Sequence, residues 1–266
     1  MSDYTSLLPE LRALARRAGV AILEVYHGDF AVTRKDDSSP VTEADLRSER
    51  IIVDGLRALT PDIPAIAEEE AAAGTAPPHR EKFWLVDPLD GTREFVKRNG
   101  QFTVNIGLIE NGKPVAGILY APAIDRMYAA AGGKAWLEVH GEAAKPILCR
   151  KPPTEGLVVL ASASHRADEP FDKFLEAFTV AEIRRSGSAL KYGILAEGEA
   201  DLYPRFGRTM EWDTAAGHAI LDAAGGCITL PDGSPLAYGK PGYANPSVVA
   251  WATPRPYLDG KIPSPR

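Results

Sequence analysis

The chain of 266 residues is 45% hydrophobic and 25% charged, the composition of an ordinary soluble globular protein, which excludes disorder over most of its length. Asp and Glu number 36 and Lys and Arg number 30, so the formal net charge is −6, which argues against binding to nucleic acid polymers or anionic membranes through bulk charge. No apolar run approaches the roughly 18 residues of a membrane-spanning helix, and the N-terminus shows no secretory signal, so we expect a cytoplasmic protein with no transmembrane segment.

Two amphipathic helices are predicted near the N-terminus. Apolar residues recur at helical spacing over Leu11–Val25, and Gly28 follows where such a helix would end. A second helix is indicated over Thr42–Leu59, because Thr42 and Asp45 have the spacing of a capping box, in which the two ends of the first turn cap each other. Its buried face is expected to carry Leu46, Val53 and Leu56.

The pattern then changes to short apolar runs separated by Gly, Pro, Asn and Asp, which is typical of strands and turns. We predict strands at Phe83–Val86, Phe102–Ile109, Val115–Tyr120 and Met127–Ala130. Asn111 and Gly112 lie between two of these runs, and this dipeptide is a strong signal for a tight hairpin. This part of the chain is therefore expected to form antiparallel sheet.

A second half begins after the proline-containing stretch Pro146–Pro153. Strands are predicted there at Leu157–Ala161, Val180–Arg184 and Ser247–Trp251, and helices at Pro170–Phe178, Ser188–Glu197 and Trp212–Ala224. Because strands and helices interleave, we expect a layered α/β structure in which residues 1–150 and 151–266 are two lobes of one continuous fold.

The densest chemical signal is the segment WLVDPLDGT at residues 84–92. Asp87 and Asp90 end an apolar strand, where their carboxylates and the intervening carbonyl oxygen of Leu89 can converge on one hard cation. Pro88 stiffens the turn, and Gly91 permits a positive φ. Asp, Pro and Gly are also ordinary turn residues, so an exposed turn without a ligand is the alternative.

Two further acidic elements are ambiguous when each is taken alone. Glu68, Glu69 and Glu70 follow an apolar run, and their mutual repulsion is relieved either in an exposed acidic loop or by a bound divalent cation. Asp213 stands at the start of a helix of small residues in EWDTAAG. The helix dipole favours a carboxylate at that position even without a ligand role.

In combination, these elements resemble a family signature. Asp45 in SPVTEAD, the glutamate pair, DPLDGT and WDTAAG occur in this order. The order resembles the signature of the lithium-sensitive, magnesium-dependent phosphomonoesterases of the inositol monophosphatase superfamily, from about the first helix to Gly226. The segment DGTREFVKRNGQFTVNIGLIENGKPVAGILYAP is similar to that of the CysQ-type 3′(2′),5′-bisphosphate nucleotidases. The resemblance implies a layered αβαβα sandwich with the active site between its lobes.

The same resemblance implies a site for two or three Mg²⁺ ions, with Li⁺ as an inhibitor. The implied metal ligands are Glu68, Asp87, the carbonyl oxygen of Leu89, Asp90 and Asp213. Glu68 is assigned rather than Glu69 because it is the first glutamate after the apolar run, although the third glutamate, Glu70, departs from the family pattern. Oxygen donors suit a hard cation better than zinc, and no Cys or His cluster in the sequence indicates otherwise.

The catalytic residues implied by the resemblance are Asp45, Glu68 and Thr92. Thr92 and Asp45 would form a hydroxyl–carboxylate pair that orients and deprotonates the attacking water. Asp45 also has a purely structural explanation, since the third position of a capped helix favours a carboxylate. The backbone N–H groups of Gly91 and Thr92 would cradle the transferred phosphate.

Further substrate contacts are implied in the second half of the chain. They are Ser162 and His165 in ASASHR, Gly187, Ser188 and Lys191 in GSALK, and Asp213. Ser188 and Lys191 would bind phosphate at a helix start, with a capped helix and a solvated lysine as the alternative. For His165 the alternative is an exposed loop residue. Arg208 stands where the family pattern has Pro, which affects the shape of the loop before Asp213.

The implied reaction is hydrolysis of the 3′-phosphate of adenosine 3′,5′-bisphosphate to AMP, and of 3′-phosphoadenylyl sulfate to adenylyl sulfate, which would clear a by-product of sulfate activation. Inositol monophosphatase or fructose-1,6-bisphosphatase activity on the same scaffold is the enzymatic alternative, and a noncatalytic phosphate-sensing binder is the alternative from another class. The expected partner is a small phosphorylated nucleotide, and the protein is expected to be a monomer or homodimer. Peripheral association with the inner membrane face is left open.

Overall fold

The computed structural model describes residues 3–34, 40–163 and 169–254. Its α-helices are α1 (Leu8–His27), α2 (Glu43–Leu59), α3 (Glu68–Ala72), α4 (Thr92–Val96), α5 (Glu169–Leu175), α6 (Leu190–Ala196) and α7 (Glu211–Ala223). Single 3₁₀ turns occupy Thr5–Leu7, Pro122–Ile124 and Pro241–Tyr243. None of the described helices is long and apolar enough to span a membrane.

The strands of the first half are β1 (Thr33–Arg34), β2 (Pro40–Val41), β3 (Ala65–Ala67), β4 (Lys82–Asp90), β5 (Thr103–Glu110), β6 (Lys113–Ala121), β7 (Arg126–Ala131), β8 (Lys134–Val139) and β9 (Lys145–Pro146). Those of the second half are β10 (Leu157–Ser162), β11 (Val180–Ser186), β12 (Leu202–Arg205), β13 (Thr209–Met210), β14 (Cys227–Thr229), β15 (Ala244–Asn245) and β16 (Val248–Trp251). Two short antiparallel pairs, β1 with β2 and β13 with β15, lie outside the main sheets.

The first half forms a seven-stranded sheet in the order β3-β4-β5-β6-β7-β8-β9. β3 runs parallel to β4, and the later neighbours are antiparallel. Asn111 and Gly112 connect β5 to β6 with φ angles of 51° and 73°, so both have the positive values of a type I′ turn. The predicted hairpin is therefore confirmed.

Helices α1 and α2 cover one face of this sheet. They bury a shared apolar cluster that includes Leu11, Leu14, Ile22, Ile52, Leu56, Trp84, Val86, Ile106 and Ile118. α1 ends as predicted, with the N–H of Gly28 donating to the carbonyl oxygen of Val25 at 3.1 Å. α2 begins as predicted, with the capping box between Thr42 and Asp45.

Helix α7 lies across the opposite face of the same sheet. Glycines on β5 and β6 permit this close approach, because any Cβ atom there would collide with the helix. A Cβ atom on Gly107 would lie 2.7 Å from the Cβ atom of Ala215, and one on Gly117 would lie 2.6 Å from the carbonyl oxygen of Ala216. The helix backbone therefore rests directly on the strands.

The second half forms a five-stranded sheet in the order β11-β10-β12-β16-β14. Its inner face shares one apolar cluster with α6, α7 and the large sheet, which includes Leu85, Leu119, Val158, Leu160, Leu195, Tyr203, Ile220, Val248 and Ala250. Its outer face packs against Phe171 and Phe174 of α5. The layers are therefore α1 and α2, the seven-stranded sheet, α6 and α7, the five-stranded sheet, and α5. This order confirms the predicted layered αβαβα sandwich.

Some predicted boundaries are wrong, for identifiable physical reasons. Leu46, predicted on the buried face of α2, is 54% exposed, and Ser48 and Glu49 are buried instead. The helix predicted from Ser188 begins only at Leu190, because Ser188 has a φ of 49°, outside the helical region. Strands β3 and β14 are only three residues long and were not predicted.

Candidate active site

One cleft gathers most of the residues that the sequence singles out. It has a volume of about 900 Å³ and is lined from both halves of the chain. The predicted site residues on its lining are Glu68, Asp90, Gly91, Thr92, Ser162, Ser188, Lys191 and Asp213. Asp45, Asp87, Leu89 and Gly187 are not part of that lining. His165 lies outside the described residues.

The DPLDGT segment forms the end of β4 and the start of α4. Asp87 and Leu89 are each 2% exposed, so the alternative of an exposed turn is wrong. The pairing of β4 with β5 shifts in register between Asp87 and Asp90, which is an irregularity that bends a strand end. Gly91 then has a φ of 89°, the positive value expected from the sequence, and α4 begins at Thr92.

The acidic run EEE opens helix α3 rather than forming an exposed loop. β3 places it beside β4, and α3 begins at the cleft residue Glu68. Glu49 of α2 accepts hydrogen bonds from the backbone N–H groups of Glu69 at 2.7 Å and Glu70 at 2.9 Å. These bonds satisfy donors that a helix start leaves free, and they fix the position of Glu68. Burial raises the pKa of Glu49 to about 7.

Glu49 was not predicted as a site residue, although the sequence contains a signal for it. It follows Asp45 by four residues, and residues four apart lie on the same face of a helix. The helix face that carries the predicted catalytic carboxylate therefore carries a second buried carboxylate, 7% exposed, that holds the start of α3.

Asp45 connects the start of α2 to Thr92. Its Oδ2 accepts hydrogen bonds from the backbone N–H of Thr42 at 2.7 Å and from the Thr42 hydroxyl at 2.8 Å. The hydroxyl of Thr92 lies 3.3 Å from Asp45 Oδ1 and 3.2 Å from the carbonyl oxygen of Leu89. Burial raises the pKa of Asp45 to about 7. The same carboxylate therefore caps a helix and contacts the Thr92 hydroxyl.

Asp213 reaches the cleft from the first turn of α7. Its Oδ2 accepts the backbone N–H of Met210 at 2.9 Å, so the structural explanation drawn from the sequence also holds. The cap fixes the carboxylate relative to the helix, and the glycines beneath α7 fix the helix relative to the large sheet.

Four carboxylates interact at this end of the cleft, namely those of Glu68, Asp87, Asp90 and Asp213. Burial, and then the charges of Glu68, Asp90 and Asp213, raise the pKa of Asp87 well above its usual value. Burial and the charges of Asp90 and Glu68 do the same to the pKa of Asp213. A cation bound among these groups would offset both the burial of charge and the mutual repulsion.

The donor set fits a hard divalent cation. It consists of carboxylate oxygens and the carbonyl oxygen of Leu89, which are the ligands of Mg²⁺ rather than the nitrogen and sulfur ligands typical of zinc. Among the described residues, no group of three or more His, Cys, Asp and Glu side chains is already arranged as ligands of one ion. Donor chemistry and mutual repulsion, rather than a complete coordination sphere, identify these groups as a candidate metal centre.

Lys191 is buried beside the carboxylates, so the alternative of a solvated lysine is wrong. It is 3% exposed, and its Nζ donates to the carbonyl oxygens of Ser186 at 3.1 Å and Ser188 at 2.5 Å. Burial lowers the pKa of Lys191 to about 8, and the charge of Asp90 opposes this shift. The ammonium group therefore holds the loop in which Ser188 has its positive φ.

The loop at residues 187–189 is docked directly onto the first half of the chain. The backbone N–H of Gly187 donates to Oε1 of Gln101 at 2.8 Å, and that of Ala189 donates to Oδ2 of Asp90 at 2.5 Å. A Cβ atom on Gly187 would lie 2.7 Å from the carbonyl oxygen of Gln101, so only glycine fits this approach. This loop and the candidate metal centre therefore share Asp90.

Three arginines on the cleft lining were not predicted as substrate contacts. They are Arg93, Arg205 and Arg208. The sequence contains a signal for two of them, since YPRFGRTMEWD places both just before Asp213. Together with Lys191, these arginines place positively charged groups on the same cleft lining as the carboxylates.

Comparison with known proteins identifies the family. The family model described as "Inositol monophosphatase family" matches residues 3–258. A relative from Escherichia coli O6:H1, named 3′(2′),5′-bisphosphate nucleotidase CysQ, is 49% identical over 236 residues that cover 87% of this chain and 94% of that protein. The crystal structure of CysQ from Bacteroides thetaiotaomicron is 33% identical, with a TM-score of 0.76 and coverage of 94% of this chain and 98% of that chain. An IMPase structure from Thermotoga maritima is 26% identical, with a TM-score of 0.76 and coverage of 93% and 92%. The chain belongs to the inositol monophosphatase family.

Proposed function

We propose that the protein is a Mg²⁺-dependent phosphomonoesterase, a 3′(2′),5′-bisphosphate nucleotidase, that hydrolyses adenosine 3′,5′-bisphosphate to AMP and phosphate. The same cleavage of 3′-phosphoadenylyl sulfate gives adenylyl sulfate. The activity in the name of the Escherichia coli relative, 3′(2′),5′-bisphosphate nucleotidase, supports this substrate, because the relative is 49% identical over 87% of this chain.

The observation that carries the proposal is the charge pattern of the cleft. Its lining combines the carboxylates of Glu68, Asp90 and Asp213 with the cationic groups of Lys191, Arg205 and Arg208. A bisphosphate needs both parts, since the reacting phosphate is held through metal ions and the second phosphate needs its own cationic partners. A phosphorylated polyol with one phosphate would need only the first part.

The residues that would hold Mg²⁺ are Glu68, Asp87, the carbonyl oxygen of Leu89, Asp90 and Asp213. When bound there, the metal would neutralise the phosphoryl oxygens and lower the pKa of a bound water. Three features support this assignment, because they would hold the donors in place before substrate arrives. They are the register shift after Asp87, the cap on Asp213 and the bonds from Glu49 to the start of α3. Li⁺, which is small and singly charged, would occupy the same oxygen donors and inhibit.

Thr92 and Asp45 would orient and deprotonate the attacking water. The Thr92 hydroxyl can donate its single proton to Asp45 Oδ1, which leaves its oxygen lone pairs to accept a proton from the water. As the water oxygen forms its bond to phosphorus, the bond from phosphorus to the 3′ oxygen of the ribose breaks. The water proton passes to the Thr92 oxygen and the hydroxyl proton passes to Asp45, while the departing 3′ oxygen takes a proton from a solvent water and leaves as the ribose hydroxyl. The pKa of about 7 that burial gives Asp45 suits a base that works near neutral pH.

The remaining contacts would hold the substrate around the reacting phosphate. The backbone N–H groups of Gly91 and Thr92, at the start of α4, would contact the transferred phosphate. Ser188 and Arg205 would contact the second phosphate, with the positive charge of Lys191 behind them. Gly187 would allow the loop to approach, and Ser162 and His165 would contact the nucleoside.

Two lobes, residues 1–150 and 151–266, would enclose this cleft, which is lined from both. We further propose that the protein is cytoplasmic and acts as a monomer or homodimer.

The test is phosphate release from adenosine 3′,5′-bisphosphate, inositol 1-phosphate and fructose 1,6-bisphosphate, with Mg²⁺ and with EDTA. The proposal expects Mg²⁺-dependent release that is fastest with the nucleotide. Faster release from inositol 1-phosphate would transfer the assignment to a polyol phosphatase, and no release from any of the three would favour a noncatalytic binder. Asp45→Asn should abolish most of the rate, whereas Asp54→Asn, on an exposed position of the same helix, should not.

A further inference from the structure

Two side chains of β5 are buried without hydrogen-bond partners. Thr103 and Asn105 are 0% and 1% exposed. Among the described residues, the Thr103 Oγ1 atom and both polar atoms of the Asn105 amide belong to the few buried side-chain atoms that have no partner. Burying an amide or hydroxyl without a hydrogen bond costs free energy, so proteins keep such groups where something else satisfies them.

The sheet register places both residues directly beside the proposed metal ligands. Asn105 is opposite Asp87, and Thr103 is opposite Asp90, in the antiparallel pairing of β5 with β4. Residues that are directly opposite in such a pair point to the same face of the sheet. The unpartnered atoms therefore lie on the same side of the sheet as the two carboxylates.

That side of the sheet is the one covered by α7. Gly107, two residues after Asn105 on the same face, would place a Cβ atom 2.7 Å from Ala215 of α7. Asp213, the proposed ligand that comes from α7 rather than from β4, lies in the first turn of that helix. Thr103 and Asn105 therefore lie on the face of the large sheet that α7 covers. The sheet and this helix together carry four of the proposed ligands, namely Asp87, Leu89 and Asp90 on β4 and Asp213 on α7.

We propose that Thr103 and Asn105 form a polar floor beneath the metal centre and position its ligands when Mg²⁺ binds. The inference depends on the metal ligands of the proposed function but not on the identity of the substrate. Mg²⁺ keeps several waters, and these waters need acceptors. The Thr103 hydroxyl and the Asn105 carbonyl oxygen are such acceptors, and the Asn105 NH₂ group can donate to a ligand carboxylate. Such partners are the groups that orient metal-binding carboxylates in other proteins.

The polar floor differs from an ordinary buried polar pair in the sign of its effect on stability. If Thr103 and Asn105 act only when metal is bound, their replacement by apolar groups of the same shape should not destabilise the metal-free protein, because it removes buried groups that lack partners. It should weaken Mg²⁺ binding instead. If the two residues serve only the fold, their replacement should lower stability equally with and without Mg²⁺.

The test is thermal unfolding in EDTA and during titration with MgCl₂. Thr103→Val and Asn105→Leu are the variants, and Thr103→Ser restores the hydroxyl. Thr229→Val is the matched control, because Thr229 is also a buried threonine of a strand, 6% exposed, but its hydroxyl oxygen accepts the Trp251 indole N–H at 3.1 Å and it lies in the other sheet. Phosphate release is recorded in parallel with the same preparations.

We expect Thr103→Val and Asn105→Leu to keep or raise the Tm in EDTA and to need about tenfold to a hundredfold more Mg²⁺ for the same stabilisation. Thr103→Ser should return the Mg²⁺ midpoint to that of the parent, and Thr229→Val should lower the Tm in EDTA without moving that midpoint. Unchanged midpoints in both floor variants would overturn the inference, as would the absence of any Mg²⁺ effect on the parent. If the unsubstituted protein binds Mg²⁺ but releases no phosphate from the bisphosphate, the substrate assignment is overturned. Shifted Mg²⁺ midpoints in the two floor variants would still support the polar floor in that case.

Discussion

The close contact between α7 and the large sheet predicts the effect of Gly117→Ala. A Cβ atom at residue 117 would lie 2.6 Å from the carbonyl oxygen of Ala216 and 3.0 Å from its Cα, whereas ordinary contact begins at 3.4 Å. The obstacle is helix backbone, so no rotation of a side chain can relieve the overlap. The helix must move by about 0.8 Å, the difference between 3.4 and 2.6 Å.

This movement has consequences for stability and for rate. Overpacking a core costs about 1–3 kcal/mol, and each kcal/mol lowers the Tm of a large domain by about 2–4 °C, so we expect a Tm lower by about 2–12 °C. Asp213 lies one turn before Ala216 on the same helix, and the movement displaces its carboxylate relative to Asp90. Because a misplacement of about 1 Å can cost about a hundredfold in rate, kcat should fall about tenfold to a hundredfold.

The assay is thermal unfolding together with Mg²⁺-dependent phosphate release, compared with the control Gly19→Ala. A Cβ atom on Gly19 would lie 2.5 Å from the ring of Tyr120, on the opposite face of the same sheet, where α1 carries no proposed ligand. The control should lose Tm while kcat stays within about twofold of the parent. A normal kcat in Gly117→Ala with a lowered Tm would refute the dependence of the Asp213 carboxylate on α7, and an unchanged Tm would refute the packing argument itself.

Four further outcomes are expected. Asp90→Asn should lower kcat by at least about two orders of magnitude with little change in Tm, since metal stabilisation of the transition state amounts to several kcal/mol; near-normal phosphate release would show that Asp90 is not a ligand. Millimolar LiCl should inhibit phosphate release far more than equal NaCl, and full activity in tens of millimolar LiCl would contradict the metal assignment. Lys191→Ala should raise the KM for adenosine 3′,5′-bisphosphate about tenfold to a hundredfold and that for adenosine 3′-monophosphate much less; equal losses would mean that the ammonium acts only through its loop. Burial raises the pKa of Asp45 and Glu49 to about 7 and that of Asp90 to about 6, so the metal-free fold keeps protons that the unfolded chain releases above a pH of about 4. The free energy of unfolding in EDTA should therefore fall as the pH rises from about 4 to about 7, and a flat profile in urea unfolding would contradict these shifts.

Features that depend on neighbours in the chain could be predicted from the sequence. The capping box of Thr42 and Asp45 and the hairpin at Asn111 and Gly112 are both confirmed, because each is a local arrangement of adjacent residues. The helix start predicted at Ser188 is wrong for the opposite reason. The positive φ of that residue belongs to a loop held by contacts with segments far away in the chain.

Burial at the site could not be predicted, because it depends on segments that are distant in the chain. Glu49 can accept the backbone N–H groups of Glu69 and Glu70 only because β3 brings the start of α3 against α2. The sequence predicts that Lys191 binds phosphate and leaves a solvated lysine as the alternative, but it gives no sign that the side chain is buried. The burial arises because its loop docks onto Asp90 and Gln101. The roles of the metal ligands come from the family resemblance and stay predictions, although the structure brings Glu68, Asp90 and Asp213 to one cleft.

Asp90 belongs to the candidate metal centre and also holds the loop at residues 187–189, which would bind the second phosphate, since its carboxylate accepts the N–H of Ala189 at 2.5 Å. Ligands that act through one shared group are thermodynamically linked, and the linkage is reciprocal. The factor by which Mg²⁺ changes the affinity for the bisphosphate is the factor by which the bisphosphate changes the affinity for Mg²⁺. Because a cation on Asp90 reduces its repulsion of phosphate, the coupling is expected to be positive. Rising substrate would then increase the retention of Mg²⁺ by the enzyme, and scarce Mg²⁺ would raise the substrate concentration that the enzyme requires.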